Sequence, residues 1–194
     1  IKTAGIICNV LEKASIETAR NTLVDTFGQL DFLINGAGGN SPEASTDIEQ
    51  IKADASDFKG SFFELSEESF RLTLDLNLMG TVIPSQVFGP LLIQQKRGAI
   101  LNISSMNAYR PLTKIPAYSA SKCAVSNFTE WLAVHLAETG VRVNAIAPGF
   151  FLSEQLKFLA YDEDGELTDR YRRVLQLTPM HRFGDQCELI GPTL

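Results

Sequence analysis

The chain has 194 residues, of which 44% are hydrophobic and 21% charged, a composition typical of one globular domain with a sizeable core. Its 17 Lys and Arg against 23 Asp and Glu give a formal net charge of −6. The basic residues are scattered, and no uninterrupted apolar run reaches the roughly 18 residues of a membrane span, so we expect neither nucleic acid nor membrane as a partner.

The first half of the chain predicts strand, helix, strand and then a long loop. Residues 6–10 form a short apolar run, and residues 15–27 place apolar side chains at helical spacing. Residues 30–35 form a second apolar run that leads directly into Gly36-Ala37-Gly38-Gly39. Residues 40–65 are polar and mixed, which predicts a long loop with a functional role.

The second half continues the alternation. Ser66 is predicted to cap a helix that extends toward residue 97, with a break near Pro84. The remaining predicted elements are a strand over residues 98–105, a helix over 118–140, a strand over 141–147 and helices over 153–161 and 168–177.

This order of elements predicts the fold class. The strands are continuous apolar runs and alternate with helices, as in a parallel sheet buried on both faces. We therefore predict an α/β fold with a doubly wound, Rossmann-like parallel sheet, in a single domain over residues 1–194. The site of such folds lies at the carboxyl ends of the strands, where Asn9, Asn35, Ser105 and Pro148-Gly149 collect in this sequence.

Tyr118 and Lys122 are the strongest candidates for chemistry. They are four residues apart at the start of a predicted helix, so both project from one face. A nearby ammonium is expected to lower the pKa of a phenol, which prepares the phenol to act as a general acid or base. The pair alone is a weak pattern, and Ser105 at a strand end together with Asn77 within an apolar helix strengthens it.

These motifs follow one another in a familiar order. The motifs Asn35-Gly36-Ala37-Gly38, Asn77, Ser105, Tyr118-x-x-x-Lys122 and Pro148-Gly149 resemble the successive signatures of the classical short-chain dehydrogenase/reductase family. The resemblance implies an enzyme that uses NAD or NADP to interconvert a carbonyl and an alcohol on a small-molecule substrate. It also implies that Tyr118 exchanges the proton, Lys122 lowers the pKa of Tyr118 and binds the nicotinamide ribose, Ser105 orients the carbonyl, and Asn77 holds a water in a proton relay.

The resemblance also implies a cofactor site. Asn9 and Val10 would meet the adenine, and the backbone of residues 35–38 would pass close to the cofactor, which small residues permit. Pro148, Gly149 and Ser153 would border the nicotinamide. The sequence departs from the family pattern at three of these positions: Gly36 replaces Asn, Asn9 replaces Asp, and Ser153 replaces Thr.

Three family features do not occur in the chain. The glycine-rich phosphate-binding turn and the residue that separates NAD from NADP are absent, as is the last strand. We expect the chain to be an internal piece of a longer protein, with about one βαβ unit before Ile1 and a strand after Leu194. Because the missing strands would lie between the first and second strands of this chain, a two-strand gap in the sheet is also expected.

A looser resemblance concerns the substrate. The long loop after Asn35, residues 148–155 and residues 178–184 look like the fructuronate reductase or D-mannonate oxidoreductase branch of the family. A sugar acid or polyol substrate would follow. A sugar acid needs a cation for its carboxylate, for which Arg110, Lys114 and Lys157 are candidates.

Two other functions were considered. A serine hydrolase would use Ser104, Ser105 and His135, but the chain has no Gly-x-Ser-x-Gly elbow. A catalytically inactive relative that binds nucleotide or acts as a scaffold is the main alternative, and the intact catalytic side chains favour an enzyme. Three widely spaced cysteines, not arranged as metal ligands, predict a cytoplasmic protein, and the family resemblance implies a homodimer or homotetramer.

Overall fold

The structure is a computed structural model that describes residues 2–194, except for the side chains of Gln155 and Phe158. It comprises two compact units, Ile1–Ala147 and Pro148–Leu194, and each is described by itself. The interpretation of the whole chain as one domain stays a prediction.

The first unit contains a parallel sheet and four helices. Its strands are β1 (Phe32–Asn35), β2 (Gly98–Ile103) and β3 (Val141–Ile146), and its helices are α1 (Lys13–Phe27), α2 (Glu67–Leu74), α3 (Gly80–Gln95) and α4 (Pro116–His135). The long loop between β1 and α2 carries two short 3₁₀ turns, Pro42–Ala44 and Phe62–Glu64. The second unit contains α5 (Glu154–Ala160), α6 (Asp169–Leu177) and α7 (Ile190–Thr193).

The sheet has the order β1-β2-β3, and both strand pairs are parallel. Asn35 lies opposite Asn102, and Asn102 opposite Ala145, so the three carboxyl ends meet at one edge. The predicted α/β class with a parallel sheet is confirmed. Leu92, Ile100, Leu136, Val141 and Val143 form the core between the sheet and its helices. Burial of each such side chain contributes about 1.5–3 kcal/mol.

The predicted strand at residues 6–10 is wrong. No strand of residues 2–194 pairs with this segment, and the side chains of Ile6 and Ile7 are exposed. Backbone N–H and C=O groups form a strand only where a neighbour satisfies them, so an apolar run without one stays irregular. The chain instead turns at Asn9, whose Oδ1 accepts a hydrogen bond from the Leu11 N–H, and then enters α1.

The predicted helix break also lies elsewhere. Pro84 is accommodated inside α3, and the irregularity is a π-turn at Asp75–Met79 that joins α2 to α3. The cause is Asn77, whose side-chain Nδ2 donates to the Thr73 carbonyl, the acceptor that an α-helix would give to the Asn77 backbone N–H. The π-turn therefore marks a point where a side chain has entered the helical hydrogen-bond ladder.

Contrary to the expectation from the sequence, the helical segment Glu67–Gln95 is long and apolar enough to cross a membrane. Inside the protein, 44% of its most apolar window is buried. Leu92 is fully buried in the core, and α3 contacts both β1 and β2. We therefore interpret this segment as a core helix that packs on the sheet.

Candidate active site

The carboxyl-terminal edge of the sheet brings four predicted catalytic residues into one region. Ser105 follows β2 and begins a 3₁₀ turn, Met106–Ala108, where its hydroxyl accepts a hydrogen bond from the Asn107 N–H at 3.2 Å. This cap holds the Ser105 side chain, which is 7% exposed, beside the start of α4. The Ser105 hydroxyl also lies near the phenol of Tyr118 and acts to lower the pKa of that phenol.

Helix α4 aligns Tyr118 with Lys122. It begins at Pro116, two residues before the predicted start, and proline suits a first helical position because its missing N–H has no intrahelical partner there. The Lys122 Nζ lies 5.6 Å from the centroid of the Tyr118 ring. The same Nζ donates a 2.8 Å hydrogen bond to the Ile103 carbonyl at the end of β2.

The two side chains titrate differently from the expectation. Burial raises the pKa of Tyr118, and the nearby Ser105 hydroxyl opposes that shift without cancelling it. The expected lowering of the Tyr118 pKa by Lys122 is thus not found: desolvation of the phenolate dominates, and the Lys122 ammonium is directed to the Ile103 carbonyl. Burial also lowers the pKa of Lys122 to about 8.

Asn77 anchors the glycine loop that follows β1. Its fully buried side chain accepts a hydrogen bond from the Gly39 N–H at 3.1 Å and donates to the Gly39 carbonyl at 2.7 Å and the Thr73 carbonyl at 2.8 Å. Both N–H donors of the amide are therefore occupied. In this structure Asn77 positions the loop, and its role in a water relay stays a prediction.

Gly38 lies where a larger residue would not fit. A Cβ atom at this position would lie 2.6 Å from Asn77 Oδ1 and 3.3 Å from Lys122 Nζ. The backbone thus passes directly over two of the predicted catalytic residues. Gly36, Ala37 and Gly38 are exposed, and their role as a cofactor-binding loop stays a prediction.

The side chain of Asn35, whose backbone was predicted to pass close to the cofactor, lies in the interior, and the backbone contact stays a prediction. Its Nδ2 donates to Ser85 Oγ at 3.0 Å and to Asn102 Oδ1 at 2.8 Å. The Asn102 Nδ2 in turn donates to Thr129 Oγ1 on α4 at 2.9 Å. These hydrogen bonds connect α3, β1, β2 and α4. This network was not predicted, although the polar Asn102 in the middle of an apolar strand is a signal for it in the sequence.

The predicted adenine contacts lie at the entrance to α1. Asn9 is exposed, with Nδ2 donating to Glu12 at 2.8 Å and Oδ1 accepting from Leu11. Val10 approaches α3 so closely that a Cβ on Gly80 would be 3.1 Å from Val10 Cγ2. Among the described residues, neither Asn9 nor Val10 forms a hydrogen bond with Ser105, Tyr118 or Lys122.

Four predicted contacts belong to the second unit. Pro148 is half-buried and Gly149 exposed, and the Ser153 hydroxyl caps α5 by accepting from the Leu156 N–H at 3.1 Å. Lys157 pairs with Glu154 at 2.8 Å, and this hydrogen bond raises the pKa of Lys157. The roles of these residues toward nicotinamide and substrate stay predictions.

The other two predicted substrate cations lie in the loop that joins Ser105 to Tyr118. Arg110 is exposed, and its Nη1 donates to the Tyr109 carbonyl at 3.1 Å. Lys114 is half-buried in a left-handed backbone conformation, with φ of 75°. Its carbonyl accepts a 2.8 Å hydrogen bond from the Thr46 N–H, which attaches the long loop after β1 to this loop.

The structure has a parallel α/β sheet with a Ser, a Tyr and a Lys at its carboxyl edge. This arrangement is typical of a class of nucleotide-dependent oxidoreductases. Comparison with known proteins identifies the family. The short chain dehydrogenase family model matches residues 1–164. The chain belongs to this family, and the resemblance seen in the sequence is confirmed.

The similar proteins include two curated bacterial relatives. An uncharacterized oxidoreductase of Haemophilus influenzae is 48% identical over 186 residues, which cover 96% of this chain and 65% of the relative. The uncharacterized oxidoreductase UxuB of Bacillus subtilis is 47% identical over 190 residues, which cover 98% of this chain and 68% of the relative. The chain thus spans about two thirds of the length of these relatives.

A solved structure shares the fold closely. It is a protein from Haemophilus, provisionally described as a D-mannonate oxidoreductase, with bound NAD. It is 48% identical to this chain, with a TM-score of 0.89 over 96% of this chain and 66% of its own. This similarity supports the assignment of the parallel sheet to the Rossmann-like fold of the family.

Proposed function

We propose that the protein transfers hydride between NAD or NADP and a carbonyl or secondary alcohol. The observation that carries this proposal is the cluster of Tyr118, Ser105 and Lys122 at the carboxyl edge of the sheet, next to the exposed backbone of Gly38. Reduction of a carbonyl needs a proton donor for the oxygen in addition to hydride, and Tyr118, with Ser105 and Lys122 beside it, can supply that proton.

The residues present fit a dinucleotide. Gly38 leaves open the space that a Cβ would fill beside Lys122, and Lys122 uses one of its three N–H donors on Ile103. The remaining donors of Lys122 and the backbone of residues 36–38 would hold the nicotinamide ribose. When bound, the cofactor supplies the hydride. The NAD in the Haemophilus structure supports this choice, as does the family membership.

Tyr118 supplies the proton in this proposal. Its raised pKa keeps the phenol protonated at neutral pH, so it can donate to the carbonyl oxygen as that oxygen gains negative charge. Ser105, which lies near the phenol, would direct its hydroxyl to the same carbonyl oxygen and donate a second hydrogen bond to it. In the reverse direction the Tyr118 phenolate would take the hydroxyl proton, and the buried Lys122 ammonium would stabilise that anion.

For the substrate we propose a sugar acid such as fructuronate or mannonate. The description of the Haemophilus protein supports this class. Among the three predicted cations, Arg110 is the preferred partner for the carboxylate. Lys157 already pairs with Glu154, and Lys114 lines a separate cavity. Arg110 is exposed, uses Nη1 on the Tyr109 carbonyl, and lies in the loop that joins Ser105 to Tyr118 in the chain.

The test is oxidation of reduced cofactor, followed by absorbance, with fructuronate and with fructose as a matched neutral ketose. A clear preference for fructuronate supports the sugar acid, and equal rates on the two would rule out carboxylate recognition. The Arg110→Gln variant should raise KM for fructuronate alone. Absence of turnover with any carbonyl and either cofactor would contradict the proposed oxidoreductase function and favour the nucleotide-binding or scaffold alternative.

We also propose a cytoplasmic homo-oligomer that pairs through its long helices. On α4, Trp131 and Val134 are 57% and 78% exposed, and on α2 Leu72 is 56% exposed. Apolar side chains of this size exposed along two helices support a protein partner, and a second copy of the chain is the one that the family resemblance implies.

A further inference from the structure

A cavity of about 450 Å³ lies beside the loop that joins Ser105 to Tyr118. One wall is the long loop after β1, which contributes Ile48, Ile51 and Phe62. The opposite wall is the loop before α4, which contributes Leu112, Lys114 and Pro116. Among the described residues, neither Ser105 nor Tyr118 lines this cavity, so it is separate from the proposed site of hydride transfer.

The walls are held by backbone hydrogen bonds. The Thr46 N–H donates to the Lys114 carbonyl at 2.8 Å and connects the two walls directly. Within the long loop, the Gly60 carbonyl accepts from the N–H groups of Asp47 and Ile48. Ser61 is buried and caps the 3₁₀ turn that carries Phe62. The cavity is therefore preformed, as small-molecule sites usually are.

Most of the accessible surface of the cavity is apolar and open to solvent, although polar residues also line it: Thr46, Glu49, Gln50, Ser61 and Thr113. Ile48, Ile51 and Phe62 are 37%, 41% and 55% exposed, which leaves an uncovered apolar surface in a concave site. A sugar acid carries a hydroxyl on nearly every carbon, and these hydroxyls would lose their hydrogen bonds to water against such walls. An occupant with an unsubstituted hydrocarbon body fits the lining better, because it buries apolar surface without that loss.

The charge in the cavity comes from Lys114 and Glu49. Glu49 already interacts with other groups of the protein. The Lys114 ammonium, by contrast, makes no hydrogen bond or ion pair with the described residues. Its left-handed backbone, with φ of 75°, is uncommon for a residue with a side chain and is a conformation that often accompanies a functional position.

We propose that this cavity is an accessory binding site for a small amphipathic carboxylate, whose hydrocarbon body packs between the two loops and whose anionic group meets Lys114. The site does not rest on the proposed dehydrogenase function, since binding there requires neither cofactor nor turnover. Because the loop that it contacts joins Ser105 to Tyr118, an occupant would lie next to the catalytic cluster without entering it.

The test measures direct binding to the purified full chain by ligand-observed NMR, without cofactor. The probes are hexanoate, hexylammonium and gluconate: the first two share a chain and differ in charge, and gluconate keeps the charge but adds hydroxyls. We expect hexanoate to bind, and we expect the affinities for hexylammonium and gluconate to be lower by at least about tenfold. Equal binding of hexanoate and hexylammonium, preference for gluconate, or no binding of hexanoate would overturn the proposal.

Variants identify the cation. Lys114→Met should weaken hexanoate binding by about tenfold or more, and Lys114→Arg should retain it. Lys59→Met, which removes an exposed lysine of the long loop after β1 that does not line the cavity, should leave binding unchanged. Thermal unfolding of each variant checks that the fold is intact. The proposal is wrong if folded Lys114→Met binds hexanoate as well as the unmodified protein does. The same measurements on Tyr118→Phe should show unchanged binding, which separates this site from the catalytic function.

Discussion

The Lys122 ammonium lies 5.6 Å from the centre of the Tyr118 ring and is bound to the Ile103 carbonyl at 2.8 Å. Lys122 is thus held by the sheet and faces the phenol ring from one turn further along α4. The end of β2 supplies both the acceptor for Lys122 and, two residues later, Ser105. The geometry of the proposed proton donor therefore depends on the junction of β2 with α4.

Tyr118→Phe is expected to reduce hydride transfer by about 10²- to 10⁴-fold, the usual contribution of a positioned general acid. The substitution removes only the hydroxyl, so cofactor affinity and unfolding temperature should change little. The measurement is the rate of cofactor oxidation at saturating substrate. Tyr109→Phe is the matched control, because Tyr109 is 60% exposed and precedes α4. Similar rates for Tyr118→Phe and the unmodified protein would exclude the acid role.

The buried Lys122 should make stability depend on pH in a defined direction. Its pKa falls from an ordinary value of 10.5 to about 8 on folding, so between these pH values the unfolded chain binds more protons than the folded one. Stability from this group therefore rises with pH across the window, as the cost of burying the charge is relieved. Denaturant unfolding at several pH values between about 7 and 10 measures the slope.

The variants for this measurement are Lys122→Met and Lys59→Met. The first should remove the rise in unfolding free energy that Lys122 contributes, and the second, which lacks only an exposed lysine, should behave like the unmodified protein. If the unfolding free energy of Lys122→Met depends on pH as strongly as that of the unmodified protein, another group is responsible for the slope. Tyr118 acts in the opposite sense above its ordinary pKa of 10.0, since its raised pKa makes the folded state hold a proton that the unfolded chain releases.

Gly38→Ala is expected to destabilise the protein by about 1–3 kcal/mol, because the new methyl must displace the Asn77 amide that anchors the loop. A Cβ there would lie 2.6 Å from Asn77 Oδ1. Cofactor affinity should fall as well, since the same loop is proposed to hold the ribose. Gly36→Ala is the control, because its Cβ would meet nothing nearer than Ile103 Cγ1 at 3.9 Å. Equal unfolding free energies for the two variants would contradict this account.

The sequence predicted the positions of Ser105, Tyr118 and Lys122 well, because the signals are local. The spacing of Tyr118 and Lys122 on a helix determines that they share a face. The strand that ends two residues before Ser105 determines which edge of the sheet Ser105 occupies. The strand at residues 6–10 could not be predicted in the same way. An apolar run indicates that a segment can form a strand, whereas strand formation also needs a hydrogen-bonding neighbour, which is a property of the sheet.

Side-chain roles were harder to predict than positions. Asn35 was placed at the correct strand end, yet its side chain joins Ser85 and Asn102 in the interior. The pKa of Tyr118 was expected to fall because spacing reveals the nearby charge of Lys122, but burial, which raises it, depends on the packing of the whole site. Likewise, the contact of Asn77 with Gly39 joins residues 38 positions apart, which leaves no periodic pattern in the sequence.

Asn102→Leu tests the buried network that connects the sheet to α3 and α4. The substitution removes the acceptor of Asn35 Nδ2 and the donor to Thr129 Oγ1, so the unfolding free energy should fall by about 1–3 kcal/mol. Denaturant unfolding measures the change. Asn144→Leu, on the exposed side of β3, should change stability by no more than about 0.5 kcal/mol. Comparable losses for both variants would show that the network has no special role.

Trp131→Glu tests the proposed oligomer. Trp131 is 57% exposed and stacks between Phe128, at 6.3 Å, and His135, at 4.8 Å, so its own helix holds the indole in place. A carboxylate buried there against a second copy would be desolvated without a partner, and the oligomer should dissociate while each chain stays folded.

Sedimentation velocity measures the change in mass, with circular dichroism as the check on folding. Glu130→Gln, at the neighbouring exposed position, is the control and should leave the mass unchanged. An unchanged mass for Trp131→Glu would place the interface on another surface, because no helix contact that includes Trp131 could tolerate the buried charge.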